Sequence, residues 1–512
     1  MLSLAFSAAM LGIDGYVVRV EADSSAGSPA LTIIGLPDRA LNEARERVKA
    51  AIFNCGFAYP AGRLLVNLSP ADVRKEGPAF DLAIALALLN IDGQLDRAAL
   101  QTYAALGELA LDGTLRAVGG ILPMVLGVRN AGFSKLIVPR ENAREASLVE
   151  GIEIYAIDSL QDAVCVVMGN GGKWRAIPPA EELPAIVDPV HADFADVKGQ
   201  AAAKRALEIA AAGGHNLLFV GPPGCGKTML ARRLPSILPP MTQHEALEVT
   251  KIYSVAGLLG ATPGIVRTRP FRFPHHTISQ TALVGGGATV KPGEISLAHH
   301  GVLFLDELPE FNRAAIEVMR QPLEEGSVTI ARAAGTFTYP ARFMLVASMN
   351  PCPCGYRGTR TSECRCDDAA VAKYVSKLSG PLLDRIDLQI EVARVPFDDI
   401  VRPHGGEGSA EVRARVVAAR ELQQRRFLGT SLTCNAEIPP HAMRRYCRLD
   451  TAAMQLLAHA SAKRQFSARA LDRIARAART IADLAGKEEI MTEHIAEAIH
   501  YRSLERLETR AA

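Results

Sequence analysis

The octapeptide "GPPGCGKT", Gly221 to Thr228, follows the apolar run "NLLFV" and precedes "MLARRLPSIL". Its spacing is G-x-x-x-x-G-K-[ST] in a strand–loop–helix context, which is that of a phosphate-binding loop. Glycines let the backbone wrap a phosphate chain, with N–H groups pointing inward at a helix start. Gly221, Pro222, Pro223, Gly224, Cys225 and Gly226 would form that cradle for ATP. Lys227 would add a point charge on the β- and γ-phosphates, and Thr228 would ligate Mg²⁺. About eighty residues on, "GVLFLDELPEF" ends an apolar run in Asp306 and Glu307. A buried strand ending in two carboxylates is costly unless a cation sits there. Asp306 is therefore expected to hold Mg²⁺ through water, and Glu307 to polarise the attacking water.

Three further polar residues stand out against apolar surroundings. "FMLVASMN" ends in Asn350, which can help position the attacking water or simply close a strand. In "GPLLDRIDLQIEV", Arg385 can reach a neighbour's γ-phosphate in an assembled ring, or pair with Asp384 or Asp387. In "FSARALDRIARAART", Ser467 reads as an N-cap. Arg469 then falls in the first helical turn, where a basic residue opposes the helix dipole. That mismatch points to a nucleotide phosphate, with a plain surface arginine as the alternative.

The segment "NPCPCGYRGTRTSECRCDD", residues 350–368, holds four of the nine cysteines. Cys352, Cys354, Cys364 and Cys366 form two C-x-C pairs that can supply a tetrahedral thiolate set for Zn²⁺. Free thiols and a redox pair are the other readings. Gly355 and Gly358 would let the intervening loop turn, and Arg357 and Arg360 would ride on it.

These residues need elements to hold them. Strand-like runs "NLLFVG", "GVLFLDE" and "FMLVASMN" alternate with helices, and continuously apolar strands indicate a parallel sheet covered on both faces. The expected fold class is α/β throughout, with the ATPase core at 193–395 carrying the cysteine insertion at 350–368. Residues 1–170 form a separate α/β domain. Residues 171–192 form a proline-rich linker, since "WRAIPPAEELPAIVDPVHADF" lacks periodicity. Residues 396–512 form a helical region after the short joint "HGGEGS". A chain of 512 residues is too long for one core, and 48% hydrophobic with 22% charged residues is ordinary for a soluble protein. Net charge is +2, so any basic surface must be local. The N-terminus lacks a basic region before its apolar run, and no run approaches a membrane span, so no signal peptide or membrane contact is expected. An odd, sparse cysteine count fits a reducing cytoplasm.

Taken together, the phosphate loop, "LFLDE", Asn350, Arg385 and Arg469 resemble the set of an AAA+ ATPase. A finer resemblance is to its magnesium-chelatase-like branch, through "TALVGGGATVKPGEISLAHHGVLFLDE" and the second hairpin "VTIARAAGTFTYPARFMLVAS". In that branch both hairpins point into a ring pore, which would make Lys291 and Arg332 DNA contacts; solvated loop residues are the alternative. "RFPHHTISQTALVGGG", "NPCPCG" and "IIGLPDRALNEARERVKAAI" resemble the YifB/ComM family over essentially the whole chain. That resemblance implies an ATP-driven homo-hexamer acting on single-stranded or branched DNA as a branch-migration helicase in recombination during natural transformation, with recombination proteins as partners.

Residues 75–89 and 106–142 resemble the Lon protease fold. After Gly77-Pro78, however, come Ala79, Phe80 and Asp81, and after Gly120 come Ile121, Leu122, Pro123 and Met124. A Ser–Lys mechanism needs an activated hydroxyl and a neutralisable amine. Neither is present there, so no peptidase activity is expected, and an ATP-dependent protease is the weakest reading. The other alternative is a chelatase-type motor that remodels a protein partner. It shares every ATPase residue, and only the Lon-like domain and the cysteine insertion favour DNA.

Overall fold

The computed structural model describes residues 2–36, 38–73, 75, 77–175, 193–259, 264–287, 290–332, 335–358, 364–397 and 406–502. The expected linker beyond Arg175, the first two residues (404 and 405) of the joint "HGGEGS", Arg360 and residues 503–512 lie outside them. Among the described residues, no helix is long and apolar enough to cross a membrane. The chain forms two compact units, each built on its own sheet.

The first unit contains the N-terminal region together with residues from 246–266 and 329–339. Its seven-stranded mixed sheet uses β1 (Ser3–Leu11), β2 (Asp14–Ser25), β3 (Ala30–Ile34), β4 (Arg63–Ser69) and β5 (Tyr103–Ala105). After a small hairpin, β6 (Glu108–Leu109) and β7 (Leu115–Arg116), come β8 (Lys135–Pro139) and β9 (Glu153–Ile157). The sheet order is β3-β4-β2-β1-β5-β8-β9. The pleat sends alternate side chains to opposite faces: Ala5 and Ala9 of β1 join one core, and Ala8 joins the other. The helix Asp81–Ile91 is buried along its whole length in the first core, so it is apolar all round rather than amphipathic. Its one carboxylate, Asp81, is paired with Arg47 at 2.9 Å. Ala79, Ile121, Leu122, Pro123 and Met124, at the positions singled out above, are all buried apolar residues. Trp174 belongs to this unit's core, so the unit extends past the expected boundary at residue 170.

The second unit holds a fully parallel five-stranded sheet: β10 (Leu217–Val220), β11 (Phe271–Arg272), β14 (Val302–Leu305), β17 (Met344–Met349) and β18 (Leu388–Glu391). Along the chain, the hairpin of β12 (Gly285–Gly286) with β13 (Lys291–Pro292) lies between β11 and β14, and that of β15 (Ser327–Arg332) with β16 (Gly335–Pro340), most of which belongs to the first unit, lies between β14 and β17. The sheet order β11-β14-β17-β10-β18 places β10 between β17 and β18. Every residue of β10, β14 and β17 is buried, which is why these strands read as unbroken apolar runs. The C-terminal helices share this core. In the helix Ala468–Leu484, Ala470, Ile474, Ala477, Ala478 and Ile481 recur at helical spacing and are buried. Ser467 caps that helix by accepting from the Ala470 N–H at 3.2 Å.

Candidate active site

The parallel sheet delivers the ends of β10, β14 and β17 to one edge, the usual place for a ligand in an open α/β sheet. β10 hands over to Gly221, whose N–H donates to the Met349 carbonyl at 3.2 Å. A Cβ at Gly221 would stand 2.3 Å from the Val392 carbonyl oxygen, so only glycine fits. Gly226, at φ +94°, caps the helix Lys227–Ile237. Lys227 is buried, and its Nζ donates to the carbonyls of Gly221 at 2.7 Å and Pro222 at 3.0 Å. A third bond, 3.2 Å long, reaches Asn350 Oδ1 at the end of β17. The lysine thus lies within its own loop, with a side chain from another strand as partner.

β14 ends at Asp306. Thr228 Oγ1 donates to Asp306 Oδ2 at 2.7 Å, so the loop hydroxyl and the carboxylate already face each other. The Ser348 hydroxyl donates to the other Asp306 oxygen, and the Glu307 N–H lies 3.3 Å from Ser348 Oγ. Glu307 itself sits in the left-handed region at φ +54°. That conformation costs a non-glycine residue about 1–3 kcal/mol and persists only where neighbours hold it. The effect is to turn the Glu307 carboxylate outward, half-exposed, with His276 Nδ1 at 3.9 Å. The donor set fits a magnesium nucleotide: a hydroxyl and a carboxylate in contact, a buried amine, and a cradle with no room for a side chain.

Lys227, Thr228, Asp306, Glu307 and Asn350 are therefore brought together. Arg385 and Arg469 are not. β18 begins with Leu388 beside Leu217, the first residue of β10. Arg385 precedes it, at the opposite end of the sheet from the phosphate loop, about 13 Å along strands that rise ~3.3 Å per residue. Its side chain is mostly buried and pairs with Glu324, neither with Asp384 nor with Asp387. Burial first, then the nearby Arg469, Arg473 and Arg320, lowers its pKa. Arg469 pairs with Asp384 at 3.4 Å, in the same basic group. Lys291 is exposed on β13, and Arg332 is exposed at the end of β15.

The four cysteines converge. Sγ–Sγ separations are 3.3 Å for Cys352–Cys354 and 3.6 Å from each of these to Cys364, and all four sulfurs lie within 4.8 Å of one another. Tetrahedral Zn–S bonds of about 2.3 Å require sulfurs about 3.8 Å apart. Backbone N–H groups of Tyr356 and Arg365 hold the Cys354 thiol down to about 6, while Cys364 and Cys366, despite a backbone N–H each, are pushed up by burial and the neighbouring sulfurs, so Cys354 ionises ahead of these two. The set fits Zn²⁺.

Sequence reasoning missed Ser348, which touches both acidic residues, and His276 beside Glu307. A hydroxyl inside the otherwise apolar "FMLVASM" was a signal for the first. Pairing of Leu305 with Ala347 sets Ser348 against the acidic turn, and that register is not local information.

A phosphate loop after the first strand and an acidic pair after the third, in one parallel sheet, define an AAA+-type domain. Family models agree. "Subunit ChlI of Mg-chelatase" matches residues 20–142, "Magnesium chelatase, subunit ChlI" matches 193–400, and its C-terminal model matches 406–502. The Competence protein ComM of Haemophilus influenzae is 44% identical over 510 residues, covering 99% of this chain and 98% of its own. The Escherichia coli protein YifB, described as uncharacterized, is 43% identical with the same coverage. Lon protease 2 of Bacillus subtilis is 28% identical over 117 residues, 22% of this chain. The chain belongs to the YifB/ComM family of magnesium-chelatase-like proteins. Membership implies ATP and Mg²⁺ as ligands.

Proposed function

We propose that the protein is an ATP-hydrolysing, ring-forming motor on DNA, a hexameric helicase that drives branch migration of recombination intermediates during natural transformation. The observation that carries this reading is the end-to-end similarity to a competence protein, joined to an intact phosphate-loop site. Gly221 to Gly226 cradle the phosphates, Lys227 turns from the loop carbonyls to the β- and γ-phosphates, and Thr228 with Asp306 holds Mg²⁺. When bound, the ion neutralises charge on the phosphate oxygens. Glu307, turned outward, accepts the proton of the attacking water, and Asn350 helps orient that water. Arg385 and Arg469, at the far end of their own sheet, serve the nucleotide of the next subunit, which requires a ring. Lys291 and Arg332 contact DNA from exposed hairpins. The thiolate clip holds structural Zn²⁺. The Lon-like unit has no Ser–Lys pair after Gly77-Pro78 and Gly120, so it contributes assembly or DNA binding and no peptide hydrolysis.

A protein-remodelling motor is the second reading, favoured by the chelatase descriptions of all three family models. The two separate on DNA. Steady-state ATP turnover of the full chain is expected to rise when branched DNA is added, and DNA affinity to fall with salt as phosphate contacts are screened. Turnover indifferent to DNA, with salt-independent or absent DNA binding, would favour the remodelling motor.

A further inference from the structure

Residues 350–358 run from the nucleotide site directly into the cysteine cluster. Asn350, which reaches Lys227, lies two residues before the fully buried Cys352. The turn between the first two cysteines lies against the phosphate loop: a Cβ on Gly355 would stand 2.6 Å from Pro223 Cδ and 3.8 Å from Asn350 Cγ. Gly355 also has φ +84°, and its N–H donates to the Cys352 carbonyl at 3.0 Å. Arg394 straddles the same junction, with its guanidinium 5.8 Å from the Tyr356 ring centroid and 3.5 Å from the Pro223 carbonyl.

On the other side, the Tyr374 phenol lies by the Asn350 backbone: burial raises its pKa to about 12, and the Asn350 N–H offsets part of that rise. Tyr374 lies in the helix Asp368–Val375, which starts two residues after Cys366. Arg357 ties the turn to Asp368 at the head of that helix, at 2.7 Å. Within the described part of 350–367 there is no strand or helix, so the four sulfurs, beside the Arg357–Asp368 pair, are what can lock the two arms together.

We infer that the cysteine cluster is a positioning device for the nucleotide site. A Zn²⁺ held by Cys352, Cys354, Cys364 and Cys366 fixes the turn that seats Gly355 on Pro223 and sets Asn350 against Lys227. This inference rests on the nucleotide-site reading and adds to it that metal occupancy sets phosphate-loop geometry. Gly355 and Tyr374 are positioning residues in this scheme; neither is placed to touch a phosphate.

The test uses the full chain, purified with zinc and counted by elemental analysis. Zinc is withdrawn with a zinc-selective chelator under reducing conditions, and Mg²⁺ is restored before measurement. Three quantities are read: the Kd of a fluorescent ATP analogue, kcat and KM for ATP, and far-UV circular dichroism. Removal is expected to lower kcat by about 10²-fold, the effect of displacing a positioning group by ~1 Å. The Kd should weaken by about tenfold, helix content should stay constant, and returned Zn²⁺ should restore both values. Zinc-loaded Gly355→Ala should keep its metal but bind the nucleotide analogue more weakly, because its Cβ meets Pro223. Tyr374→Phe should keep metal and fold yet lose kcat more than Kd. Zinc-free protein, or folded Cys364→Ser, with Kd, kcat and KM within about twofold of wild type would overturn the inference. So would fresh protein with well under one zinc per chain that takes up none. If zinc-loaded wild type binds the analogue but does not hydrolyse ATP, the ATPase reading fails. The inference is then judged on Kd alone.

Discussion

Ser348 donates to the Asp306 carboxylate and accepts from the Glu307 N–H, so it holds one carboxylate directly and the other through its backbone at the end of β14. Removing it leaves the phosphate loop untouched. Ser348→Ala is therefore expected to bind ATP normally while kcat falls roughly tenfold, the lower range for a misplaced catalytic group. A rise in KM with unchanged kcat would mean that Ser348 serves binding instead. Glu307→Gln keeps the outward turn but cannot accept a proton. It should retain nucleotide in a filter-binding assay and lose roughly 10²-fold or more in turnover. Lys227→Ala differs in kind, because the amine that moves from loop carbonyls to phosphates is gone and nucleotide binding itself should fail.

At the scale of elements, the loop Gly221–Thr228 and the strand ending in Asp306 were legible in sequence because their determinants are local. Glycine spacing sets the cradle, and an unbroken apolar run sets a buried strand. The parallel sheet followed from the same runs, and the Ser467 cap from one residue type before a periodic helix. What could not be read depends on register between distant segments. The pairing of β14 with β17 brings Ser348 to Asp306, and the pairing of β18 with β10 sends Arg385 to the far end of the sheet. The partner of Arg385, Glu324, is sixty-one positions away and had no signature. Asp387 shows how such a junction is held. It accepts from Arg473 at 2.7 Å and from the Asn216 N–H at 3.0 Å, with His215 Nδ1 at 3.6 Å. Burial by itself would raise its pKa, but Arg473, His215 and that N–H outweigh burial and hold it well below the usual carboxylate range. Its folded value lies below the unfolded value of about 3.9, so the stability it contributes is complete above about pH 4 and is lost as pH falls further. Asp387→Asn should flatten the acid limb of a denaturant-midpoint profile. An unchanged slope below about pH 4 would show that the carboxylate does not carry it.

At the scale of the whole molecule, the proposed ring would bring the nucleotide site at one end of a sheet to the basic group at the other end of a neighbour's, with subunits meeting head to tail. Lys227→Ala and Arg385→Ala are then complementary lesions. Each alone should be inactive, but mixed rings place an intact phosphate loop against an intact Arg385 and should regain measurable ATP turnover. Mixtures as inactive as either parent, in rings shown to exchange subunits, would remove Arg385 from the active site. The central claim is that this ATP chemistry moves DNA branches. It is tested most directly by incubating the full chain with ATP, Mg²⁺ and a labelled Holliday junction and counting displaced strands. The account predicts displacement that needs ATP hydrolysis and is abolished in Glu307→Gln. Clear ATP hydrolysis, unaffected by DNA and without strand displacement, would contradict it.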